Sequence, residues 1–300
     1  MDLLKKGDTV AIVATARKVS EEEMIPAKRM LESWGLKVEW AEGLFEAEHQ
    51  FSNTDKARSS SFQKLLNNPK IKAIFCARGG YGTVRMVDDI DFDIFLDDSK
   101  WIIGYSDITV LHAHIHKHIA YTTVHGPMPI NWLPEKLHEE SLTFLQKTLF
   151  EGPQGFDFPN HPLNLRSAEA EGIVIGGNLS VLYSLLGSNS DPNYDGKILI
   201  LEDLDEYLYH IDRMMVALKR AGKFNHLEAV MVGDMSDMKD NTVPFGKNAY
   251  EIIADVFKDF EYPVFFGAPV GHEPRNLTVL FGRRYQLKPG KKVRFEPIQR

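Results

Sequence analysis

Residues Trp101–His118 read WIIGYSDITVLHAHIHKH. Four mostly apolar residues end in Gly104-Tyr105-Ser106-Asp107, and a run of helical character follows at once. Strand, tight turn and helix in that order lift one side chain out of a sheet edge and aim it at a pocket. With serine at the turn, its Oγ lies near the first free N–H groups of the helix, so Ser106 is a candidate nucleophile. The plainer alternative is that Ser106 and Asp107 only cap the helix, as Ser and Asp commonly do.

The same rhythm runs through the first half of the chain. Val10–Ala14 reads as a strand, and Ser20-Glu21-Glu22-Glu23 as a capping-box start to a helix that Gly35 stops after about Trp34. Leu36–Trp40 is a second strand. Thr54-Asp55 opens a helix that ends near Asn67-Asn68-Pro69. Ile71–Cys76 does not alternate and so reads as a strand buried on both faces. A short helix is expected around Gly82–Asp88. Strands alternating with helices of this length predict an α/β fold, a parallel sheet with helices on both faces. Ligands of such sheets bind beyond the carboxyl ends of the strands, where both the Arg78-Gly79-Gly80-Tyr81-Gly82 turn and the Ser106 turn fall.

The pattern breaks at Glu151–Asn164, EGPQGFDFPNHPLN, where Gly and Pro are dense and no period survives. A first domain over 1–150, a linker over 151–167 and a second domain over 168–300 follow from that break. The second domain reads as α/β too: strands at Ala168–Ile175, Lys197–Leu201, Ala229–Val232 and Pro263–Phe266, with helices at Asn178–Leu186, Glu206–Ala221 and Lys247–Phe257. Several short strands reaching Phe295 give it a strand-rich end.

Composition narrows the function classes. A chain of 300 residues exceeds the usual single core, in keeping with two domains. The net charge of −7 argues against nucleic acid or an anionic membrane as the main partner. Cys76 is the single cysteine, so no intrachain disulfide forms and a reducing compartment fits. Lys5-Lys6 followed by VAIVATA imitates a signal peptide, but the apolar stretch is short and Gly7-Asp8 interrupts its approach. No segment approaches the ~20 apolar residues of a membrane span. The expected location is the cytoplasm.

Several motifs bear on chemistry. In the Arg78–Gly82 turn, three glycines let backbone N–H groups face an anion, but Gly79, Gly80 and Gly82 lack the spacing of a dinucleotide fingerprint. His112, His114, His116 and His118 form two i,i+4 pairs without an acidic third ligand at an obvious spacing, which favours packed or solvated histidines over a metal site. His272-Glu273-Pro274-Arg275-Asn276 lacks the second histidine of a zincin. No metal and no cofactor is expected. Glu202 ends an apolar strand, and His272 follows Pro263–Phe266 and a glycine-bounded loop. Glu202 as a helix cap and His272 as an ordinary loop histidine are the alternatives. Ser106, Glu202 and His272 nonetheless keep the Ser…Asp/Glu…His order of α/β-hydrolases, although Ile108 stands where a GxSxG elbow has its last glycine.

Taken together the motifs resemble the LD-carboxypeptidase family of serine peptidases, which includes muramoyl-tetrapeptide carboxypeptidases and microcin C immunity peptidases. The matching pieces are Arg78–Gly82, Gly104–Thr109, His125-Gly126-Pro127, Gly176–Ser180, Leu201-Glu202-Asp203 with Tyr209 and Asp212-Arg213, and Gly271-His272 with Asn276. They span nearly the whole chain in the family's order. The resemblance implies a Rossmann-like N-terminal domain bearing the nucleophile Ser106, a smaller C-terminal domain bearing Glu202 and His272, a site at their junction, and a homodimer. Ala14-Thr15-Ala16 and Leu280-Phe281-Gly282 depart from the family's usual Pro-Ser-Ser and proline-glycine at these places.

Serine needs a base, here His272, whose other nitrogen Glu202 would hold. The amides of Asp107 and of Gly79 or Gly80 are the oxyanion candidates. Arg78 and Arg213 are candidates for the substrate's terminal carboxylate, each with an internal ion pair as the alternative, and Tyr81 either closes over substrate or packs. The expected activity is serine-type hydrolysis of the L,D-bond before a terminal D-alanine in peptidoglycan-derived tetrapeptides or related small peptides. A microcin C-type peptidyl-nucleotide hydrolase is the alternative within the class, and a non-catalytic small-ligand binder the alternative outside it.

Overall fold

The computed structural model describes residues 2–133 and 135–298. Two sheets organise it. The first contains β1 (Thr9–Val13), β2 (Lys37–Trp40), β3 (Ile71–Cys76), β4 (Trp101–Gly104) and β5 (Thr123–His125), with α1 (Glu21–Ser33), α2 (Asp55–Asn67), α3 (Thr109–Ile119) and α4 (Glu139–Glu151) between and after them. Its strand order is β2-β1-β3-β4-β5, all parallel, so connections reverse between β1 and β3 and leave a crevice at the strands' carboxyl ends. Local chemistry sets the helix starts. Ser20 and Glu23 form a reciprocal capping box on α1, and Thr54 Oγ1 accepts the Ala57 N–H on α2.

The second sheet contains β6 (Phe156–Pro159), β7 (Ala170–Asn178), β8 (Lys197–Leu204), β9 (Ala229–Ser236), β10 (Val264–Phe266), β12 (Arg284–Lys288) and β13 (Lys292–Pro297), with α5 (Leu179–Ser184), α6 (Leu208–Arg220) and α7 (Ala249–Phe257) between them. Strands β7–β10 run parallel, and β12, β13 and β6 add an antiparallel ribbon. Alternate residues of the parallel strands feed two different cores. Ile175, Leu199, Leu201, Val230, Val232 and Phe266 pack with the three helices. Val174, Ile198, Ile200, Met231 and Phe265 belong to the apolar core that includes the first sheet. Period-two alternation thus welds the two sheets together through the second sheet's inner face.

The structure differs from the sequence reading at several places. The stretch 151–167 is not featureless: Glu151 ends α4, and Phe156–Pro159 form β6 with its phenylalanines turned inward. The short apolar segment Val279–Phe281 forms β11 and crosses back to the first sheet, antiparallel to β5. No helix forms around Gly82–Asp88. Two 3₁₀ turns, Thr83–Arg85 and Val87–Asp89, take its place, with Gly82 at φ +146° ahead of the first and Met86 at φ −126° interrupting the path between them. Among the described residues no helix is long and apolar enough to cross a membrane.

Candidate active site

Ser106 stands two residues past the end of β4 and has φ +61°, a conformation that L residues other than Asn and Asp seldom adopt and that costs roughly 1–3 kcal/mol. Neither Ser106 nor Asp107 caps α3, correcting the plainer reading. Ser106–Ile108 form a 3₁₀ turn, and α3 starts at Thr109 without a side-chain cap. The missing elbow glycine also has a physical account. A Cβ on Gly104 would lie 2.7 Å from Ile108 Cγ1, so glycine at the first position makes room for the isoleucine. The Gly104 carbonyl accepts from His112 Nε2 at 2.9 Å and from the Gly126 N–H at 3.2 Å, which fixes the strand end below the serine.

The glycine turn after β3 lies against this elbow. A Cβ on Gly79 would fall 3.3 Å from both Ser106 Oγ and the Asp107 nitrogen. Among the described residues the Gly79, Gly80 and Asp107 amides have no acceptor, and of the two glycines it is Gly79 that lies against the serine. The Asp107 carboxylate, almost fully buried, accepts the Thr83 N–H at 2.9 Å and so ties the two turns together. Burial pushes its pKa up against that hydrogen bond.

Glu202 lies inside β8, not at a helix start, and is fully buried. Its Oε2 accepts from His272 Nδ1 at 2.6 Å, while Oε1 has no partner among the described residues. Asp203, one residue on, faces the other way. It accepts from Asn178 Nδ2 at 2.8 Å and from the Ser180 N–H at 2.9 Å, anchoring the start of α5. Burial, then the neighbouring Glu202 charge, raise its pKa to about 7. Glycine lets the loop carrying His272 approach, since a Cβ on Gly233 would lie 2.1 Å from the Val270 carbonyl oxygen. From the first half of the chain, α4 holds the same loop: His138 N–H donates to the Pro274 carbonyl, Ser141 Oγ accepts the Asn276 N–H, and Glu140 pairs with Arg275.

Burial works against charging His272, but the Glu202 charge and hydrogen bond, with Asp203 and Asp234 further off, hold its pKa above 6.5. Tyr105, next to Ser106, lays its ring 4.7 Å from the His272 ring and 6.0 Å from that of His125. It bridges the elbow and the imidazole, a role that nothing in the local sequence pattern signals. Ser106 Oγ and His272 are not hydrogen-bonded in this structure; the contact between their segments runs through Tyr105.

The other sequence candidates divide. Arg78 is half-buried, its Nη1 3.4 Å from the Lys18 carbonyl oxygen, with no ion pair among the described residues. Arg213 is exposed over the Tyr209 ring at 5.2 Å, with no ion pair among the described residues. Tyr81 is 49% exposed, with its ring 6.1 Å from Phe51. The α3 histidines are taken up by separate partners: His112 Nε2 bonds the Gly104 carbonyl, while His114 and His118, their rings 4.3 Å apart, bond Ser190 Oγ and the Asn189 carbonyl. No group of three or more His, Cys, Asp or Glu residues is arranged to hold a metal among the described residues.

A doubly wound sheet fused to a second α/β sheet, with a hydroxyl at an elbow and an imidazole on a buried carboxylate, is an arrangement found in hydrolases. Comparison with known proteins makes the class a peptidase. Residues 10–126 match the LD-carboxypeptidase N-terminal domain and residues 171–287 the LD-carboxypeptidase C-terminal domain. The chain belongs to the LD-carboxypeptidase family. It is 31% identical to the probable murein peptide carboxypeptidase of Bacillus subtilis (strain 168), over 97% of this chain and 92% of that one. It is 26% identical to the microcin C7 self-immunity protein MccF of Escherichia coli, over 93% and 90%. The crystal structure of muramoyltetrapeptide carboxypeptidase from Oxalobacter formigenes superposes with a TM-score of 0.88 at 26% identity, over 97% of this chain and 99% of that one.

Proposed function

We propose that the protein is a serine-type LD-carboxypeptidase that removes the terminal D-alanine from cell-wall tetrapeptides. The observation that carries this reading is the 2.6 Å hydrogen bond between His272 Nδ1 and the buried carboxylate of Glu202, on a loop packed against the Ser106 elbow through Tyr105. The chemistry follows from the groups. Glu202 accepts from Nδ1 and fixes the tautomer, leaving Nε2 as the base for the Ser106 hydroxyl. Attack on the L,D-peptide carbonyl gives a tetrahedral oxyanion that the free amides of Gly79, Gly80 and Asp107 can receive. Protonated His272 then gives its proton to the leaving D-alanine amine, and water releases the acyl group by the same path. Arg78 is the candidate for the substrate's terminal carboxylate.

The family's murein carboxypeptidases support the substrate class, and the same reading takes the protein to be a cytoplasmic homodimer. Likeness to MccF over most of the chain favours a second reading, hydrolysis of a peptidyl-nucleotide. The test is D-alanine release from a muramoyl-tetrapeptide with EDTA present, comparing the intact protein with Ser106→Ala. Release by the intact protein alone supports the proposal. Equal release by both overturns the serine mechanism. No release, with cleavage of a peptidyl-nucleotide instead, moves the assignment to the second reading. A serine-directed phosphonate that fails to label Ser106 would leave a non-catalytic binder.

A further inference from the structure

Helix α3 starts just after Ser106, and β8 carries Glu202 toward its carboxyl end. At the opposite ends of both elements a cleft of about 390 Å³ opens between His116 and Lys117 of α3, Lys197 at the start of β8, the loop before it, and Lys223 beyond α6. Lys197 and Glu202 are separated by about 16 Å of extended strand. Most charges in the cleft already have partners. Lys223 Nζ pairs with Asp191 Oδ1 at 2.5 Å and donates to the Pro192 carbonyl at 3.2 Å, while Asp191 Oδ2 accepts the Gly187 N–H at 2.9 Å. Lys117 Nζ donates to the Ser188 carbonyl at 3.0 Å. Lys197 differs: it is half-buried, and its ammonium has neither a carboxylate nor a hydrogen-bond acceptor among the described residues. His116 lines the same cleft, and its Nδ1 is buried without a partner among the described residues. Burial and then the Lys197 charge push the His116 pKa down to about 4. Three lysines and one carboxylate therefore line this cleft, in a chain whose net charge is −7.

Partial burial of an ammonium without a counter-ion is unfavourable, and an entering anion relieves it. The negative end of the α3 dipole lies here, so the lysines and not the helix set the sign of the occupant. An oxyanion with several acceptor oxygens suits donors that converge from two halves of the chain, lysine acting as a point charge and the imidazole adding one N–H. We infer that this cleft is a binding site, separate from the candidate active site, for a phosphate group, either free or as the end of a phosphomonoester, held by Lys197 and His116 with Lys117 and Lys223 adding charge. The bound group ties α3 to the start of β8, so its binding adds to the stability of the folded chain. The site depends on no step of the proposed hydrolysis.

The experiment titrates inorganic phosphate into the intact protein and its variants by calorimetry at constant ionic strength, and reads the urea midpoint with and without phosphate. The variants are Lys197→Met, which keeps the stem and removes the charge, His116→Gln, and Lys292→Met at an exposed lysine of β13 as a control for bulk charge. The intact protein is expected to bind one phosphate per chain and to gain in urea midpoint. Lys197→Met is expected to bind at least tenfold more weakly and to lose that gain, His116→Gln to bind about threefold more weakly, and Lys292→Met to behave as the intact protein. The midpoints in phosphate-free buffer show that each variant is folded. Glucose 6-phosphate, titrated into the same proteins, distinguishes the sources: tighter binding than inorganic phosphate supports a phosphomonoester, and weaker binding supports the free ion. No saturable binding of either by the intact protein overturns the site, as does equal binding by the intact and Lys197→Met proteins.

Discussion

The Asp107 carboxylate accepts the Thr83 N–H at 2.9 Å, so the residue after the candidate nucleophile pins the turn that follows a different strand. This bond keeps Gly79 against Ser106. Replacing Asp107 by alanine leaves a buried N–H without an acceptor, at a cost of about 1–3 kcal/mol, and frees the two turns to drift apart. Asp107→Ala is expected to lower the urea midpoint and reduce kcat together. Asp107→Asn, which keeps an acceptor oxygen, is expected to recover most of both. An alanine variant of normal stability and normal kcat would remove the link.

Glu202 is expected to matter through the imidazole. Glu202→Gln keeps the shape but removes the charge and permits the wrong tautomer, a change worth about 10⁴ in rate in the serine-protease template. The sign of the pH effect is fixed as well. His272 acts as base when neutral, and Glu202 holds its pKa above 6.5, so the rising limb of kcat/KM against pH lies above 6.5 in the intact protein. Without the Glu202 charge, burial prevails and the limb moves to lower pH. A variant with an unshifted limb would mean that another group sets it.

Much of the framework was legible in the sequence because it is local. The unalternating run Ile71–Cys76, the capping box at Ser20 and Glu23, and the elbow at Gly104–Asp107 each carry their signal within a few residues. What escaped is set by pairings distant in sequence. Val279–Phe281 is too short for its sheet to be read from periodicity, and its partner strand β5 lies some hundred and fifty residues earlier. Glu202 and Asp203 are adjacent in sequence, yet in a strand neighbours face opposite sides, so Glu202 meets His272 and Asp203 meets Asn178. Tyr105 was part of a matched motif, but its place between two imidazoles depends on a loop from the other half of the chain.

Gly79 offers a test that separates chemistry from folding. It has no positive φ, so alanine brings no backbone strain, but the new methyl would sit 3.2 Å from Ser106 Cβ and 3.3 Å from the Asp107 nitrogen. That is where an oxyanion would approach the free amides. Gly79→Ala keeps the N–H but sets a methyl in that approach, and is expected to lower kcat by up to about 10²–10³, the scale on which a missed oxyanion donor is felt, with stability changed by less than about 1 kcal/mol. Gly80→Ala provides the contrast. At φ +109° and with Arg17 Cδ only 2.2 Å from the new methyl, it is expected to lower stability as well. Full activity in Gly79→Ala would exclude this turn from the oxyanion site.

Asp234 makes a prediction about stability that depends on neither substrate nor turnover. Burial raises its folded pKa from the ordinary 3.8 to about 7, so the folded protein holds a proton that the unfolded chain gives up at lower pH. The stabilisation this provides is complete below about pH 3.8 and lost as pH rises through 7. Buried His112 and His125, whose pKa values burial pushes down, act in the opposite sense and lose stabilisation as pH falls below 6.5. The raw pH profile therefore mixes both, and the difference between Asp234→Asn and the intact protein isolates one group. In urea unfolding, that difference is expected to shift in favour of the variant between pH 5 and 8, because asparagine has no charge to bury at the higher pH. A difference that stays constant over this range would mean that Asp234 is already ionised at pH 5 and that its surroundings leave its carboxyl unperturbed.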